Sequence, residues 1–240
     1  MEDLRILPCG DQALTVQLSN RIDEAVNARV IALAAALDRA AIPGILEHVP
    51  TYRSLLVRYD PLTIRGHQVE QRIRALMAGL TAGQDRGRHW RVPVHYGGEA
   101  GMDLAELAAE KGMTPQALID LHSGVRFRVF MIGFAPGFAY LGGLPKVLHT
   151  PRLKVPRQRI PAGAVGIGGQ QGSISSVAGP SGWRFLGGTP VRLFDPARDP
   201  AFLLTAGDTV QFAPIGADEY ADMAARAAKG QTVIAPQEAP

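Results

Sequence analysis

After Gly124 the sequence has no helical periodicity until its C-terminal tail, and this constrains the fold more than any other feature. Glycine and proline interrupt the segment every few residues, so only short extended stretches fit between them. The candidate strands are 125–132, 174–177, 183–186, 190–194 and 209–214. Many short strands separated by turn residues are typical of a closed barrel or a sandwich. We therefore predict that this part of the chain is a β-barrel or a sandwich.

The first 80 residues have the opposite character, because their apolar residues follow clear periods. Alternation predicts a strand over 12–18, and helical spacing predicts one helix from an N-cap at Asn20 to about residue 39 and another over 67–80. Two further strands, 45–49 and 52–59, lie between the helices. The order strand, helix, strand, strand, helix predicts a small α+β sandwich with both helices on one face of an antiparallel sheet.

The stretch 81–88 between these two parts is polar, contains glycine and lacks periodicity, so we predict a linker there. The predicted domains are an N-terminal βαββα domain at 1–84, a barrel domain at 85–216, and a C-terminal helix with a tail at 217–240. We expect a strand over 89–96, followed by two short helices, 103–111 and 114–122, as an insertion between strands of the barrel domain.

The charges are unevenly distributed along the chain. No Asp or Glu occurs from Leu121 to Phe194, whereas the same segment holds nine Arg or Lys. Since arginine binds carboxylate and phosphate through its fork, and glycine lets backbone N–H groups approach a ligand, this segment predicts a site for a small anion. The basic residues are scattered among glycine and proline instead of following a helix, so we expect no nucleic-acid partner.

The acid-free segment has a consequence for any metal that accompanies the anion. A Mg²⁺ ion prefers oxygen ligands such as carboxylates, and this segment has none. The carboxylates would come from flanking residues, such as Asp120, Asp195 or Asp208, or from a partner protein. This favours a site that a partner completes.

Three stretches of the basic segment contain candidate ligand contacts. Pro151-Arg152 and Pro156-Arg157 place arginines on stiff backbone, where they are either anion ligands or solvated loop residues. Gly133 to Gly143 is either the wall of a substrate pocket or a hairpin of the core. Gly163 to Gln170 supplies either backbone donors for a ligand or barrel corners that only glycine fits.

Several common sites are excluded by residue spacing. The six histidines lack zinc-binding spacing, and no G-x-S-x-G elbow is present. Ser173, Ser175, Ser176 and Ser181 are therefore expected to be turn or pocket residues. The sequence contains no run of about 18 apolar residues, so we expect no membrane-spanning helix. With Cys9 as the single cysteine and no visible secretory signal, we expect a cytoplasmic protein.

Almost the whole chain resembles the 5-oxoprolinase B-subunit family, also known as allophanate hydrolase subunit 1 and as the sporulation-kinase inhibitor family. The matching motifs are Gly10–Leu14, Pro50–Val57, Leu121–Ser123, Met131–Gly143, Pro151-Arg152, Pro156-Arg157, Pro161–Gln170, Gly187–Pro190 and Phe194–Pro196. The resemblance implies a small α+β domain followed by a cyclophilin-like β-barrel. It also implies a part in the ATP-dependent opening of 5-oxo-L-proline to L-glutamate, with ATP and Mg²⁺ bound jointly with a homologous C-subunit, and with an A-subunit completing hydrolysis.

The same resemblance suggests which residues act. We expect Arg152, Arg157 and His122 to be catalytic. The expected substrate or nucleotide contacts are Phe134, Pro136, Gly137, Phe138, Tyr140, Gly163, Gly166, Gly168, Gly169, Gln170 and Trp183. The chain departs from the usual family motifs at Ala139, at Ser175-Ser176, at Gly179–Trp183 and at Gly188. Two alternatives are a regulator that binds and inhibits a histidine kinase, and one half of a biotin-dependent urea-type carboxyltransferase.

Overall fold

The computed structural model describes residues 4–80 and 87–237. Contacts divide the chain into two compact units, Met1–Arg86 and Gly87–Pro240. The predicted boundary at residue 84, and most of the predicted linker, lie outside the described residues. The C-terminal helix belongs to the second unit and is not a separate segment.

The first unit is a four-stranded antiparallel sheet with two helices. Its elements are β1 (Arg5–Pro8), β2 (Ala13–Gln17), α1 (Glu24–Ala40), β3 (Ile45–Pro50), β4 (Ser54–Tyr59) and α2 (Gly66–Ala78). The strand order is β1-β2-β4-β3. The predicted strands and helices are confirmed, but β1 was missed because its four residues are mostly exposed and show no alternation.

Both helices of this unit pack against the alternating apolar residues of the central strands. Leu14 and Val16 of β2 and Leu55 and Val57 of β4 form one buried cluster with residues of α1 and α2. Helix α1 begins later than predicted. Asp23, not Asn20, is its N-cap, and its carboxylate accepts hydrogen bonds from the backbone N–H groups of the first turn.

The second unit contains nine strands and three α-helices within its described residues. These are β5 (His89–Tyr96), α3 (Leu104–Glu110), α4 (Pro115–Ser123), β6 (Arg126–Ile132), β7 (Ala139–Gly142), β8 (Arg157–Ile160), β9 (Ala164–Gly168), β10 (Gln171–Ile174), β11 (Gly179–Ser181), β12 (Arg184–Gly188), β13 (Thr209–Pro214) and α5 (Ala217–Ala228). A 3-10 turn, Lys146–Leu148, follows β7.

Seven of these strands close into a barrel in the order β10-β7-β6-β13-β5-β12-β9, which confirms the predicted barrel. Neighbouring strands are antiparallel except for β5 and β13, which run parallel. Strands β8 and β11 pair only with each other and form a separate two-stranded sheet. A small two-stranded sheet, β8–β11, therefore accompanies the barrel.

The strand predictions in this unit are correct where the strand is long and apolar. Strands β5, β6, β12 and β13 match the expected segments within a few residues. The predicted strand at 174–177 is displaced by three residues from β10, the one at 190–194 is wrong, and β7, β8, β9 and β11 were missed. These four have three to five residues each and three of them contain glycine, so no alternation is visible in their sequence.

The barrel interior is filled by large apolar side chains. Phe127, Ile167, Leu186 and Phe212 are buried there, together with residues of α3 and α4. None of the helices within residues 4–80 and 87–237 has the length and apolar character needed to cross a bilayer.

Candidate functional site

A cavity of about 500 Å³ lies beside the barrel, between the loop that leads into β7 and the two-stranded β8–β11 sheet. This volume suits a small molecule. The lining residues are Phe134, Ala135, Phe138, Tyr140, Arg152, Pro156, Ile160, Ser175, Val177, Ala178, Gly179, Pro180, Ser181, Gly182 and Trp183. All of them belong to the basic segment that the sequence singles out.

One wall of the cavity is aromatic. The Phe138 ring centroid lies 4.7 Å from that of Tyr140 and 6.2 Å from that of Trp183, and the rings are tilted relative to one another. Phe138 and Trp183 are buried among a small cluster that also contains Phe185. Such tilted packing holds the rings in place and gives this side of the cavity an aromatic lining. Phe138, Tyr140 and Trp183 therefore lie where the sequence analysis expects them.

Phe134 stands at the mouth of this wall in an unusual conformation. Its φ is 71°, in the left-handed region that non-glycine residues rarely occupy, and 76% of its surface is exposed. Its ring meets Phe138 edge-on at a centroid distance of 5.6 Å. An exposed aromatic residue in a strained backbone conformation is a feature of functional sites.

Arg152 supplies the positive charge of the cavity. Its guanidinium carbon lies 4.6 Å from the centroid of the Trp183 ring, a cation–π contact that orients the fork. Its side chain makes no salt bridge within the described part of the chain. Gly168 makes this arrangement possible, because a Cβ there would lie 2.9 Å from Trp183 and 3.1 Å from Arg152. Arg152 is therefore free to bind an anion.

The electrostatics of Tyr140 follow from the same neighbours. Burial raises the pKa of its phenol, and the positive charge of Arg152 partly opposes that rise. The hydroxyl group is thus protonated at neutral pH. It lines the cavity as a neutral polar group beside the arginine.

Arg157, a predicted catalytic residue, forms an ion pair within the chain. Its guanidinium donates to both carboxylate oxygens of Asp103, at 2.6 and 3.1 Å, and to the backbone oxygen of Trp183 at 3.3 Å. The fork is therefore committed to a buried partner within the same unit, and Arg157 does not line the cavity. Its contact with the phosphate or carboxylate of a ligand has no support from this geometry and stays a prediction.

The acid-free segment receives carboxylates from the helical insertion. Besides Asp103 with Arg157, Glu110 of α3 accepts a hydrogen bond from Arg184 at 2.9 Å, and Glu106 lies 3.5 Å from the same guanidinium. Asp120, Asp195 and Asp208 are the flanking carboxylates that the sequence suggests for a metal ion, and none of them lines the cavity. Of these, Asp208 pairs with Arg88 and Asp195 with Arg192.

Most of the glycine run forms a barrel strand, β9 (Ala164–Gly168). Strand β9 pairs with β10 on one side and β12 on the other, so the backbone groups of Gly166 and Gly168 take part in ladders. The Gly163 and Gly169 N–H groups donate to the backbone oxygens of Ser175 and Thr150. The cavity lining does not include Gly163, Gly166, Gly168, Gly169 or the exposed Gln170. Their role as donors to a ligand therefore has no support from the cavity and stays a prediction.

His122 lies in the barrel core, away from the cavity lining. It is fully buried, its ring stacks on Phe212 with a centroid distance of 4.7 Å, and its Nδ1 lies 2.8 Å from the Tyr96 hydroxyl oxygen. Burial lowers the pKa of His122 to about 3, so it is neutral at physiological pH. Its position gives it a packing role, and the expected catalytic role has no support from the geometry.

Two further predicted residues lie near the cavity without lining it. Gly137 is buried against Leu193 and Phe194, and Pro136 is exposed beside it. The β8–β11 wall, formed by Pro156, Ile160 and residues 177–182, was predicted only in part. Ser175 and Ser181 are expected turn or pocket residues that line the cavity, whereas Ile160, Val177 and Ala178 were not predicted as site residues. Asp103 was missed, because no local sequence pattern marks it.

The cavity itself offers no ligand set for a metal ion. No carboxylate, histidine or cysteine is among its lining residues. Nor do residues 4–80 and 87–237 contain a group of three or more such side chains suited to a metal. A Mg²⁺ ion does not fit the cavity through the residues of this chain.

Comparison with known proteins adds a family to this geometry. Residues 4–204 match the family described as the carboxyltransferase domain, subdomain C and D. The chain is 37% identical over 222 residues to the 5-oxoprolinase B-subunit of Bacillus subtilis, which covers 88% of this chain and 92% of that protein. The protein of the same name from Haemophilus influenzae is 43% identical over 167 residues, covering 70% of this chain and 75% of that protein.

Solved structures with the same fold include longer chains. TTHA0988 superposes with a TM-score of 0.76 at 36% identity, covering 85% of this chain but only 40% of that chain. Urea carboxylase of Kluyveromyces lactis superposes with a TM-score of 0.78 at 18% identity, covering 98% of this chain and 24% of that chain. In both, the region similar to this chain is less than half of a larger polypeptide.

Proposed function

The chain belongs to the carboxyltransferase-domain family, subdomain C and D, and from this premise we propose that it is the B-subunit of an ATP-dependent 5-oxoprolinase. The observation that carries the proposal is its identity of 37–43% to three proteins named as the B-subunit of 5-oxoprolinase. The cavity beside the barrel is the proposed substrate site. We also propose that the protein works in the cytoplasm.

The chemistry of the cavity supports 5-oxo-L-proline as the ligand. This molecule is a flat five-membered lactam with a carboxylate that is ionised at neutral pH. In the proposed complex Arg152 binds the carboxylate, and the rings of Phe138 and Trp183 contact the apolar face of the lactam. Tyr140 provides a neutral hydroxyl group in the same cavity.

The proposed role of this chain is to hold and orient the lactam. An unstrained amide is a poor electrophile, and ATP supplies the phosphoryl group that activates the lactam oxygen. The aromatic wall and the β8–β11 sheet limit the access of water to the ring, and Arg152 fixes the carboxylate end. We assign no step to Mg²⁺, because the cavity offers it no ligands.

Partner proteins follow from the proposal. The homologous C-subunit would bind ATP and Mg²⁺ beside the lactam, and the A-subunit would complete hydrolysis to L-glutamate. The relation to TTHA0988, in which the matching region is 40% of the chain, supports a module that works together with further polypeptide. The cavity lining holds one cation and no carboxylate, which also supports completion by a partner.

Reconstitution tests the proposed function. The chain is mixed with its C- and A-subunits, complex formation is verified by size-exclusion chromatography, and ATP-dependent formation of glutamate from 5-oxoproline is measured. We expect turnover that falls about tenfold or more in Arg152→Gln, the loss of one charge-assisted contact. Arg159→Gln is the matched control, because Arg159 is an exposed arginine of β8 outside the cavity lining. A verified complex without turnover would refute the proposal.

A carboxyltransferase is the second candidate, favoured by the name of the matching family and by the fold shared with urea carboxylase. It would transfer a carboxyl group from a biotinylated carrier to a urea-type substrate. This candidate predicts activity that requires biotinylated carrier protein and is independent of 5-oxoproline. Product formation without the carrier would contradict it.

A further inference from the structure

Asp103 is the most deeply buried carboxylate on the cavity side of the barrel. Its surface is 0% exposed, and it accepts hydrogen bonds from both terminal nitrogens of Arg157 and, at 2.7 Å, from the Phe185 backbone N–H. A charge without contact with water needs partners of this kind. Asp103 thus joins the start of α3 to β8, through Arg157, and to β12, through Phe185.

The contacts of Asp103 fix the backbone from the carbonyl group of Trp183 to Phe185. The Asp103 backbone N–H donates to the Phe185 oxygen at 3.0 Å, so the two residues are bonded reciprocally. Arg157, held by the carboxylate, donates in turn to the Trp183 backbone oxygen at 3.3 Å. Trp183 carries the guanidinium of Arg152 on its ring. A continuous series of contacts therefore leads from Asp103 to the free arginine of the cavity.

The same carboxylate also secures the far wall of the cavity. Arg157 is the first residue of β8, whose partner strand β11 supplies Gly179, Pro180 and Ser181 to the lining. This two-stranded sheet shares no ladder with the barrel. The ion pair between Asp103 and Arg157 is thus a direct link between the sheet and the rest of the unit.

Arg184 reinforces the arrangement from the other side. Its Nε lies 3.6 Å from Asp103, and its outer nitrogen donates to Glu110 at 2.9 Å. Arg184 follows Trp183 directly in the chain. Arg184 therefore holds helix α3 next to Trp183, which lies in the aromatic wall of the cavity.

We propose that Asp103 is a positioning residue for the cavity: through Arg157 and Phe185 it holds Trp183 and the β8–β11 sheet, and thereby orients Arg152 toward a small carboxylate. The identity of that carboxylate as 5-oxoproline rests on the proposed function. The placement of Trp183 does not, and it can be measured without any ligand.

The test compares Asp103→Asn with Asp208→Asn in a Trp90→Phe background, where Trp183 is the only remaining tryptophan. Asp208 is the matched control, because it is another buried aspartate with an arginine partner but does not line or support the cavity. We expect quenching of Trp183 fluorescence by acrylamide to rise about twofold or more in Asp103→Asn, as burial of the ring is lost. In Asp208→Asn it should equal that of the parent. Equal quenching in the two variants would overturn the proposal.

A second arm uses the assembled enzyme at a temperature where both variants are folded. Asp103→Asn should raise the KM for 5-oxoproline about tenfold and change kcat much less, since ground-state and transition-state binding are weakened alike. Asp208→Asn should leave the KM within about twofold. An unchanged KM in Asp103→Asn would count against the proposal, whereas no turnover in the parent would count against the proposed function alone.

Two further variants distinguish the positioning of Trp183 by Asp103 from a general effect of Asp103 on folding stability. Asp103→Asn combined with Arg157→Gln removes both charges, so it should be more stable than Asp103→Asn alone while Trp183 stays open to acrylamide. If the double variant regained both its stability and the protection of Trp183 from acrylamide, Asp103 would have a purely structural role. If Asp103→Asn does not fold, Arg157→Lys replaces it: it retains the charge but not the fork, and should give quenching between the parent and the double variant.

Discussion

Two clusters in the barrel unit are built from the same three residue types and serve different ends. In the cavity cluster, Asp103 binds Arg157, which donates to the backbone of Trp183. In the strand-start cluster, Asp208 binds Arg88 at 2.8 Å and the Trp90 indole nitrogen at 2.9 Å, and the Arg88 guanidinium lies 4.9 Å from the Trp90 ring. Both aspartates are almost fully buried.

The two clusters differ in whether an arginine without an acidic partner remains. In the strand-start cluster one arginine both pairs with the aspartate and covers the tryptophan, so no charge is left over, and the cluster ties together the starts of the parallel strands β5 and β13. In the cavity cluster these two tasks are divided. Arg157 pairs with the aspartate, and a second arginine, Arg152, covers Trp183 and keeps its charge available. Dividing the tasks turns a structural cluster into a candidate binding site.

The largest expected effect comes from breaking the strand-start cluster. Asp208→Ala leaves the Arg88 guanidinium and the Trp90 N–H without their acceptor. We expect the free energy of unfolding to fall by about 3–5 kcal/mol, because the Trp90 indole N–H and the backbone N–H groups of Arg88 and Thr205 lose their acceptor, whereas the Arg88 side chain is 38% exposed and reaches water. Urea denaturation measures it. A loss under about 1 kcal/mol would mean that the two clusters differ in stability as well as in role.

The second-largest expected effect concerns Gly168, which lies against Trp183 and Arg152. In Gly168→Ala the new methyl group would meet Trp183 and Arg152 at about 3 Å. We expect destabilisation of about 1–3 kcal/mol and weaker binding of 5-oxoproline, because the tryptophan must move. Gly79→Ala is the control, since its Cβ would meet only the Leu76 backbone oxygen at 4.0 Å and Gly79 belongs to the first unit. Thermal denaturation and fluorescence titration compare the two, and equal behaviour would refute the packing argument.

His122 contrasts with both clusters, because it is buried without a charge. Its pKa is lowered from 6.5 to about 3, so below pH 6.5 the unfolded chain binds a proton that the folded chain does not. Stability should therefore fall as the pH falls from 6.5 toward 3, by about 1.4 kcal/mol per pH unit from this group.

In His122→Gln that part of the pH dependence should disappear, while His89, whose pKa is also lowered by burial, contributes equally to both proteins. Urea denaturation between pH 4 and 8 gives the two slopes. Parallel slopes would show that His122 does not titrate as its burial implies.

The smallest expected effect is at the mouth of the cavity. Phe134→Asn places a residue that tolerates positive φ at a largely exposed position. We expect stability to change by less than about 1 kcal/mol in either direction, because relief of backbone strain offsets the lost contact with Phe138. A loss above about 2 kcal/mol, measured by thermal denaturation, would assign Phe134 to the core instead of the cavity mouth.

How far the sequence predicts the fold depends on the length of each element. The first unit was predicted almost completely, because α1, α2 and the central strands β2 and β4 are long enough to show their periods. In the barrel unit the predictions failed for β7, β8, β9 and β11, which are short and mostly contain glycine. Ladder pairing with distant strands, which no local pattern reveals, decides these elements.

The candidate site was predicted in part for a similar reason. The aromatic residues Phe134, Phe138 and Tyr140 stand out locally among glycines and prolines, and they line the cavity together with Arg152 and Trp183. Arg152 and Arg157 have the same local sequence, a proline followed by an arginine. Only contacts with residues far along the chain distinguish them, since Arg157 meets a carboxylate 54 residues away.

By itself, the sequence determined a small α+β unit followed by a barrel, the family, and a basic, aromatic, acid-free segment as the region of function. Tertiary structure decided which cations of that segment are free, because Asp103, Glu106 and Glu110 neutralise Arg157 and Arg184 and leave Arg152 on Trp183. It also decided that the glycine run is a barrel strand, since its backbone groups are used in ladders. The residue types determine which charges and hydrogen-bonding groups the chain has. The contacts of the folded chain determine which of these groups remain available to a ligand.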